Sequence, residues 1–292
     1  MTFRFFFSLL LLAPLGLAAQ SPSASDGAWH VESQVAAESI ASAMLSDDSS
    51  RYGSTRSGLS LSLLAPPRET LTWGVTGAYG RAWNRHTRVD DSLIDNWESL
   101  DLGLQMGWRE GPWSLRSQAR MKWGRESGVS FGEGRTTGFT VTGGYAFSPV
   151  FQLYLGLLAQ ERLEQDWRIL PLPGILWRFH PQWMLRTANG ATLSYFWGDP
   201  GDAMTDLSLL WQSESFRLRG DRDATLASAA LEERFFRAQV SHLLPLPHGF
   251  YLRASAGVDF ERRFQVHKSN ENLETIRTNA ALVVGLETGL TF

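Results

Sequence analysis

The chain of 292 residues contains no cysteine, so it has neither a disulfide framework nor a lipoprotein attachment site. After the N-terminal segment, no stretch approaches the roughly 20 continuous apolar residues of a membrane-spanning helix. Excess charge is also missing: a net charge of -3 gives no case for a nucleic-acid or polyanion partner. Gly107, Gly143 and Gly144 lie in alternating segments with no helix behind them, which excludes a nucleotide loop. The spacing of Asp199, Asp202 and Asp206 around Pro200-Gly201 departs from any EF-hand pattern, and an acidic turn accounts for it. No cofactor or metal is therefore expected.

What is present begins with a short basic start, Met1 to Arg4, and an apolar run, Phe5 to Leu17. The small residues Gly16, Ala18 and Ala19 follow, and this reads as a secretory signal over 1–19 cut after Ala18 or Ala19. A small polar leader covers 20–27, and one domain is expected over 28–292. An exported chain without disulfides must be held by its core or by a membrane.

The 12 tryptophans are spread along segments that alternate apolar and polar residues. Leu100, Leu102, Leu104, Met106 and Trp108 oppose Asp101, Gly103, Gln105, Gly107 and Arg109. After Glu110-Gly111-Pro112, Trp113, Leu115, Ala119, Met121 and Trp123 oppose Ser114, Arg116, Gln118, Arg120 and Lys122. A period of two over such length is a long-strand hairpin with one greasy and one charged face. Trp73 and Trp83 are ten residues apart, as are Trp113 and Trp123. At about 3.3 Å per residue and a tilt near 40°, ten residues rise roughly 25 Å, the height of the apolar band of a membrane barrel. Trp73, Trp83, Trp108, Trp113 and Trp123 are thus expected to form aromatic girdles.

The last stretch, Arg277 to Phe292, repeats the alternation: Ala280, Leu282, Val284, Leu286, Leu290 and Phe292 against Asn279, Gly285, Glu287, Gly289 and Thr291. It resembles the terminal strand of bacterial outer-membrane β-barrels, whose final aromatic residue is part of the assembly signal. By its pattern, nearly the whole mature chain is similar to barrels of the uncharacterised, domain-of-unknown-function kind. The resemblance implies an all-β, antiparallel transmembrane barrel in the bacterial outer membrane. It also implies outer-membrane lipids and, through the C-terminal strand, the barrel-assembly machinery as partners, with small solutes as candidate cargo.

Strand count follows from parity. With Phe292 periplasmic, short turns are expected on the periplasmic side and long loops such as Arg125 to Arg135, Asp221 to Ser228 and Lys268 to Thr275 outside. Four strands then fit between Ala159 and Leu231. Asn189-Gly190 is either a hairpin turn or a bulge, and the shared phase of Trp183, Leu185, Leu193, Tyr195 and Trp197 favours the bulge. Trp29 to Leu45 fits a strand or a helical stripe, and parity favours the strand. The total is about 14, with 12 as the alternative.

Charges facing lipid would cost about 2 to 4 kcal/mol each at the midplane. Asp101, Arg109, Arg116, Arg120, Lys122, Arg253, Asp259, Glu261, Arg263 and Glu287 are therefore expected in the lumen. There they either select solutes in a water-filled pore or pair with one another and hold a narrow barrel closed. A barrel enzyme is the competing class. His86 with Asp90, Asp91 and Asp95 on one outer loop has the residue types for protease-like chemistry, but a solvated acidic loop explains them as well. Ser241 and His242, as strand neighbours, point to opposite faces and cannot be lipase-like partners. His180 and His248 read as turn residues. The expectation is a non-enzymatic barrel, either a narrow passive channel or a structural one.

Overall fold

The computed structural model describes residues 29–45, 50–66, 70–86, 95–188, 190–198, 202–220 and 228–292. The expected signal and leader lie outside them, as do Asp90, Asp91, Asn189, Asp199 and the loop 221–227. Among the described residues the chain is a meander of long strands: β1 (His30–Met44), β2 (Arg51–Leu64), β3 (Leu71–His86), β4 (Trp97–Glu110) and β5 (Trp113–Glu126). A short 3-10 turn (Phe131–Gly134) leads to β6 (Arg135–Ser148), β7 (Phe151–Arg162) and β8 (Gln165–His180). Then come β9 (Trp183–Ala188), β10 (Gly190–Phe196), β11 (Met204–Arg217) and β12 (Ala230–Pro245). The last three are β13 (Phe250–Lys268), β14 (Glu271–Arg277) and β15 (Ala281–Thr291). The segment left between strand and helix by its pattern, residues 29–45, is a strand.

Each strand pairs antiparallel with its predecessor from β1 to β13, and β1 also pairs with β15. β14 and β15 occupy successive heights on the same edge of β13: β15 faces Phe250 to Asp259, and β14 faces Arg263 to Lys268. The ring therefore closes at 14 strand positions. The backbones of Val31 and Phe292 exchange both hydrogen bonds at the seam. Closure between β1 and β15 removes the two outer edges that an open sheet of this length would present.

Side-chain placement is inverted relative to a water-soluble protein. Leu155, Ile169 and Leu282 keep 69%, 67% and 66% of their surface exposed, whereas Arg56, Arg237 and Arg262 are buried. An apolar belt of this extent belongs against hydrocarbon. Rings line its lower margin: Trp113, Tyr145, Phe147, Phe151, Trp177, Phe179, Trp183, Tyr195 and Trp197 touch in succession from β5 to β10. Trp29 meets Trp73 edge-on in the same way.

Three expectations are corrected. Asn189-Gly190 marks a hairpin rather than a bulge, because β9 and β10 pair directly with Ala188 opposite Gly190, and Gly190 has φ +145. β11 is accordingly the one long later strand. A two-residue turn, Leu163-Glu164, joins β7 to β8 at the end opposite Phe292, so not every short turn lies on the Phe292 side. And 268–275 is the tip of the β13–β14 hairpin rather than a loop.

The hairpin β9–β10 is half the height of its neighbours, with consequences for the wall. β8 pairs with β9 at Leu176, Trp177 and His180, and above them it has a strand neighbour on the β7 side alone. Pro171 and Pro173 sit on that unpaired edge, where a missing N–H removes no ladder bond. β11 pairs with β10 up to Leu210 and beyond that leans across the barrel, its Arg217 pairing in parallel with Arg125 of β5. Gly124 permits the approach: a methyl group there would lie 2.5 Å from the Ser215 carbonyl oxygen.

Candidate functional site

The interior of the half opposite Phe292 is filled by charge. Arg56 of β2 gives Glu233 two hydrogen bonds, at 2.7 and 3.0 Å, and Arg237 of β12 gives Glu38 of β1 two, at 2.8 and 3.1 Å. Arg262 of β13 reaches Glu233 at 3.3 Å and also pairs with Asp259, which in turn pairs with Arg237. The result is one chain running Arg56–Glu233–Arg262–Asp259–Arg237–Glu38, with three positive and three negative groups. None of the six keeps more than 3% of its surface exposed. Phe235 sits among the three guanidinium groups, whose carbons lie 4.6, 5.2 and 6.0 Å from its ring centroid. Cation–π contacts in a dry site strengthen such packing.

Two apolar groups flank the chain. Tyr52, Leu218, Leu231, Phe264 and Val266 cluster beyond it toward the far rim. On the other side Phe216 of the leaning β11 stacks on Trp97 at 4.2 Å. Beneath the stack Lys122 pairs with Glu214 at 3.2 Å, and Arg120 pairs with Asp101 at 3.1 Å. Removing one partner of a buried ion pair leaves a desolvated charge and costs roughly 3 to 5 kcal/mol, although the intact pair adds little net stability. The arrangement is therefore better at fixing one geometry than at raising stability.

The expected lumen charges divide between the two halves. Asp101, Arg120, Lys122 and Asp259 belong to the packed half. Arg116, Arg253 and Glu287 lie nearer the Phe292 end; Arg116 and Arg253 keep partial exposure, and Arg109 is exposed. Glu261 is a correction. Its φ of +53 places it in a bulge that inverts the phase of β13, so its side chain is exposed and pairs outside with Arg263, at 2.9 Å. The same bulge turns Arg262 inward in place of Arg263.

Glu38, Arg56, Glu233 and Arg237 were not singled out by sequence reasoning, yet a signal for Arg237 existed. It stands between Phe236 and Ala238, which continue the outward phase with Val240. Glu38 and Arg56 stand among small residues, where neither phase looks greasy. Other candidates stay apart. Ser241 is buried, while His242 bonds Thr205 at 2.8 Å; His180 accepts from the Gln182 N–H, and His248 lies in a turn. Asp206 turns inward and accepts from Ser194 at 2.6 Å. Among the described residues no group of acidic, His or Cys side chains is placed to hold a metal. Of the loop proposed for hydrolysis, Asp90 and Asp91 lie outside the described residues.

No family model and no curated protein matches the chain. The chain is similar to several solved structures. The toluene transporter TodX of Pseudomonas putida has a TM-score of 0.49 at 8% identity, over 97% of this chain and 93% of that one. The translocator domain of autotransporter NalP from Neisseria meningitidis has 0.37 at 11%, over 100% and 98%. A mutant Rh. blastica porin has 0.37 at 8%, over 91% and 100%. The barrel assignment rests on the strand pairing of this chain itself.

Proposed function

We propose that this chain is a non-enzymatic outer-membrane barrel whose central axis is closed to hydrated solutes, a structural or tightly gated barrel rather than a general pore. The observation that carries this reading is the buried Arg56-to-Glu38 ion chain with Phe235 at its centre. A water-filled pore keeps its lumenal charges hydrated; here six of them have exchanged water for one another. On this reading the Phe292 end faces the periplasm and offers a shallow, arginine-bearing vestibule.

Swelling of proteoliposomes in sugar solutions tests the closure. Wild-type vesicles are expected to swell no faster than empty ones, and Arg237→Ala, which removes the guanidinium that joins Glu38 to Asp259, is expected to admit small sugars. Rapid swelling with the wild-type protein would remove the proposal. Phe292, exposed at the seam, is proposed as the assembly signal. Deleting it is expected to lower the yield of heat-modifiable barrel in the outer membrane; normal yield there would contradict the signal, and absence of the wild-type protein from that membrane would contradict the compartment.

A further inference from the structure

The unpaired stretch of wall above the β9–β10 hairpin has features that a merely short hairpin does not require. Its sill is the turn at Gly190. Its sides are β8 from Ile169 to Pro173 and β11 beyond Leu210. Across the top, side chains replace the missing strands: Arg168 lies over the Trp211 ring at 5.0 Å, and Gln165 and Ser213 both donate to Glu232. The window thus lies at the depth bracketed on β8 by Trp167 and Trp177, both exposed on the outer belt. What meets it there is hydrocarbon rather than water.

Both sides of the wall are apolar at this place. Along most of the barrel the inward phase is polar, but on β7 and β8 it reads Leu158, Leu170 and Leu172, all only partly buried. Below them Leu176, Met184 and Phe196 close an apolar floor. Outside, an apolar groove of about 800 Å³ climbs past Leu155 and Ile175 to Pro173 and Thr187 at the foot of the window. Groove, window and inner stripe form one apolar track through the wall.

The top of the window is polar and carries excess positive charge. Arg162, Arg168 and Arg234 converge on the single carboxylate of Glu232, which Arg234 approaches at 2.6 Å while Arg162 and Arg168 stand off at 3.8 and 4.0 Å. His267 lies at 3.7 Å from the same group. An anionic head reaching this point would find two guanidinium groups held at long range, with its chain lying on the leucines below.

We propose that the window between β8 and β11 is a lateral binding site for an amphiphile with one alkyl chain and an anionic head, taken up from the lipid leaflet. The alkyl chain lies along Leu158, Leu170 and Leu172, and the head meets Arg162 and Arg168. The site passes beside the closed axis and rests on the barrel lying in a bilayer, not on whether that axis conducts.

The absence of cysteine supplies a clean reporter. Leu172→Cys, labelled with an environment-sensitive fluorophore in phosphatidylcholine vesicles, is titrated with dodecanoate, lysophosphatidylglycerol and dodecanol. The expected result is a saturable blue shift with an anionic amphiphile, at a half-saturation roughly tenfold below that of dodecanol, as a charge-assisted contact implies. Which of the two anionic probes responds identifies the source of the ligand. Leu170→Trp in the same labelled protein is expected to abolish the shift by filling the track, and Arg168→Gln to bring the acid to the level of the alcohol. No shift with either anionic amphiphile, or equal response to the alcohol, would overturn the proposal. Retained heat-modifiability shows that each variant has folded, and unchanged swelling keeps this outcome separate from that of the closed axis.

Discussion

Glu164 shows how one carboxylate can hold two distant strand tips together. It lies in the turn after β7, accepts from Arg217 at 2.6 Å and from the Ser269 N–H at 3.1 Å, and thereby ties the β7–β8 tip to the β13–β14 tip. Burial alone would raise its pKa, but the hydrogen bonds from Arg217 and Ser269, with the charges of Arg217 and Lys268, hold it below the usual carboxylate range. A depressed folded value means the clasp contributes fully above the unfolded value near the ordinary Glu range, and the contribution is lost as pH falls through the folded value. Protection from hydrogen exchange at the β13–β14 tip, taken relative to an unstructured amide at the same pH, is therefore expected to fall on acidification, and Glu164→Gln is expected to give the lower protection already at neutral pH with less dependence on pH. A tip whose protection is unchanged by pH in the wild-type protein would contradict the clasp.

Among the elements, β4 and β5 were legible in the sequence because apolar and polar residues alternate over most of their length, and they form the expected hairpin, paired from Trp97–Glu126 to Glu110–Trp113. β8 to β10 were legible only in number. Ile169 to Trp177 is apolar on both faces, so the period of two has no contrast there, and a turn halfway up a wall carries the same Asn-Gly signature as a bulge. The phase inversion in β13 was equally hidden, since Glu261 with φ +53 looks like any other strand glutamate. The lean of β11 onto β5 left a trace in Gly124, but a strand glycine does not say which backbone approaches it. Gly124→Val is expected to push β11 away and separate Phe216 from Trp97. The check is spin–spin distance between labels on Arg125 and Arg217, both changed to Cys in this cysteine-free chain: a longer, broader distribution than in the Gly124 protein supports the contact, and an unchanged one removes it.

At the scale of the molecule the barrel is two structures stacked along one axis. The half near Phe292 leaves Arg109, Arg116 and Arg253 at least partly exposed, although Arg186 is buried there, whereas the other half is packed like a protein core built from ions and rings. Barrel diameter grows with strand number, and 14 positions leave enough circumference for a pore. β11 leans into that space and meets β5 at Arg125, which the sequence could not reveal because it depends on contacts between strands that are distant around the ring. The inward charges could be listed from alternation; whether they faced water or one another was decided by that fold.

Single-channel recording in planar bilayers tests the closed axis most directly. With the wild-type protein inserted in concentrated potassium chloride, the account predicts a current that stays at baseline, interrupted by brief openings at most. Steady, ohmic conductance through the unmodified barrel would contradict it.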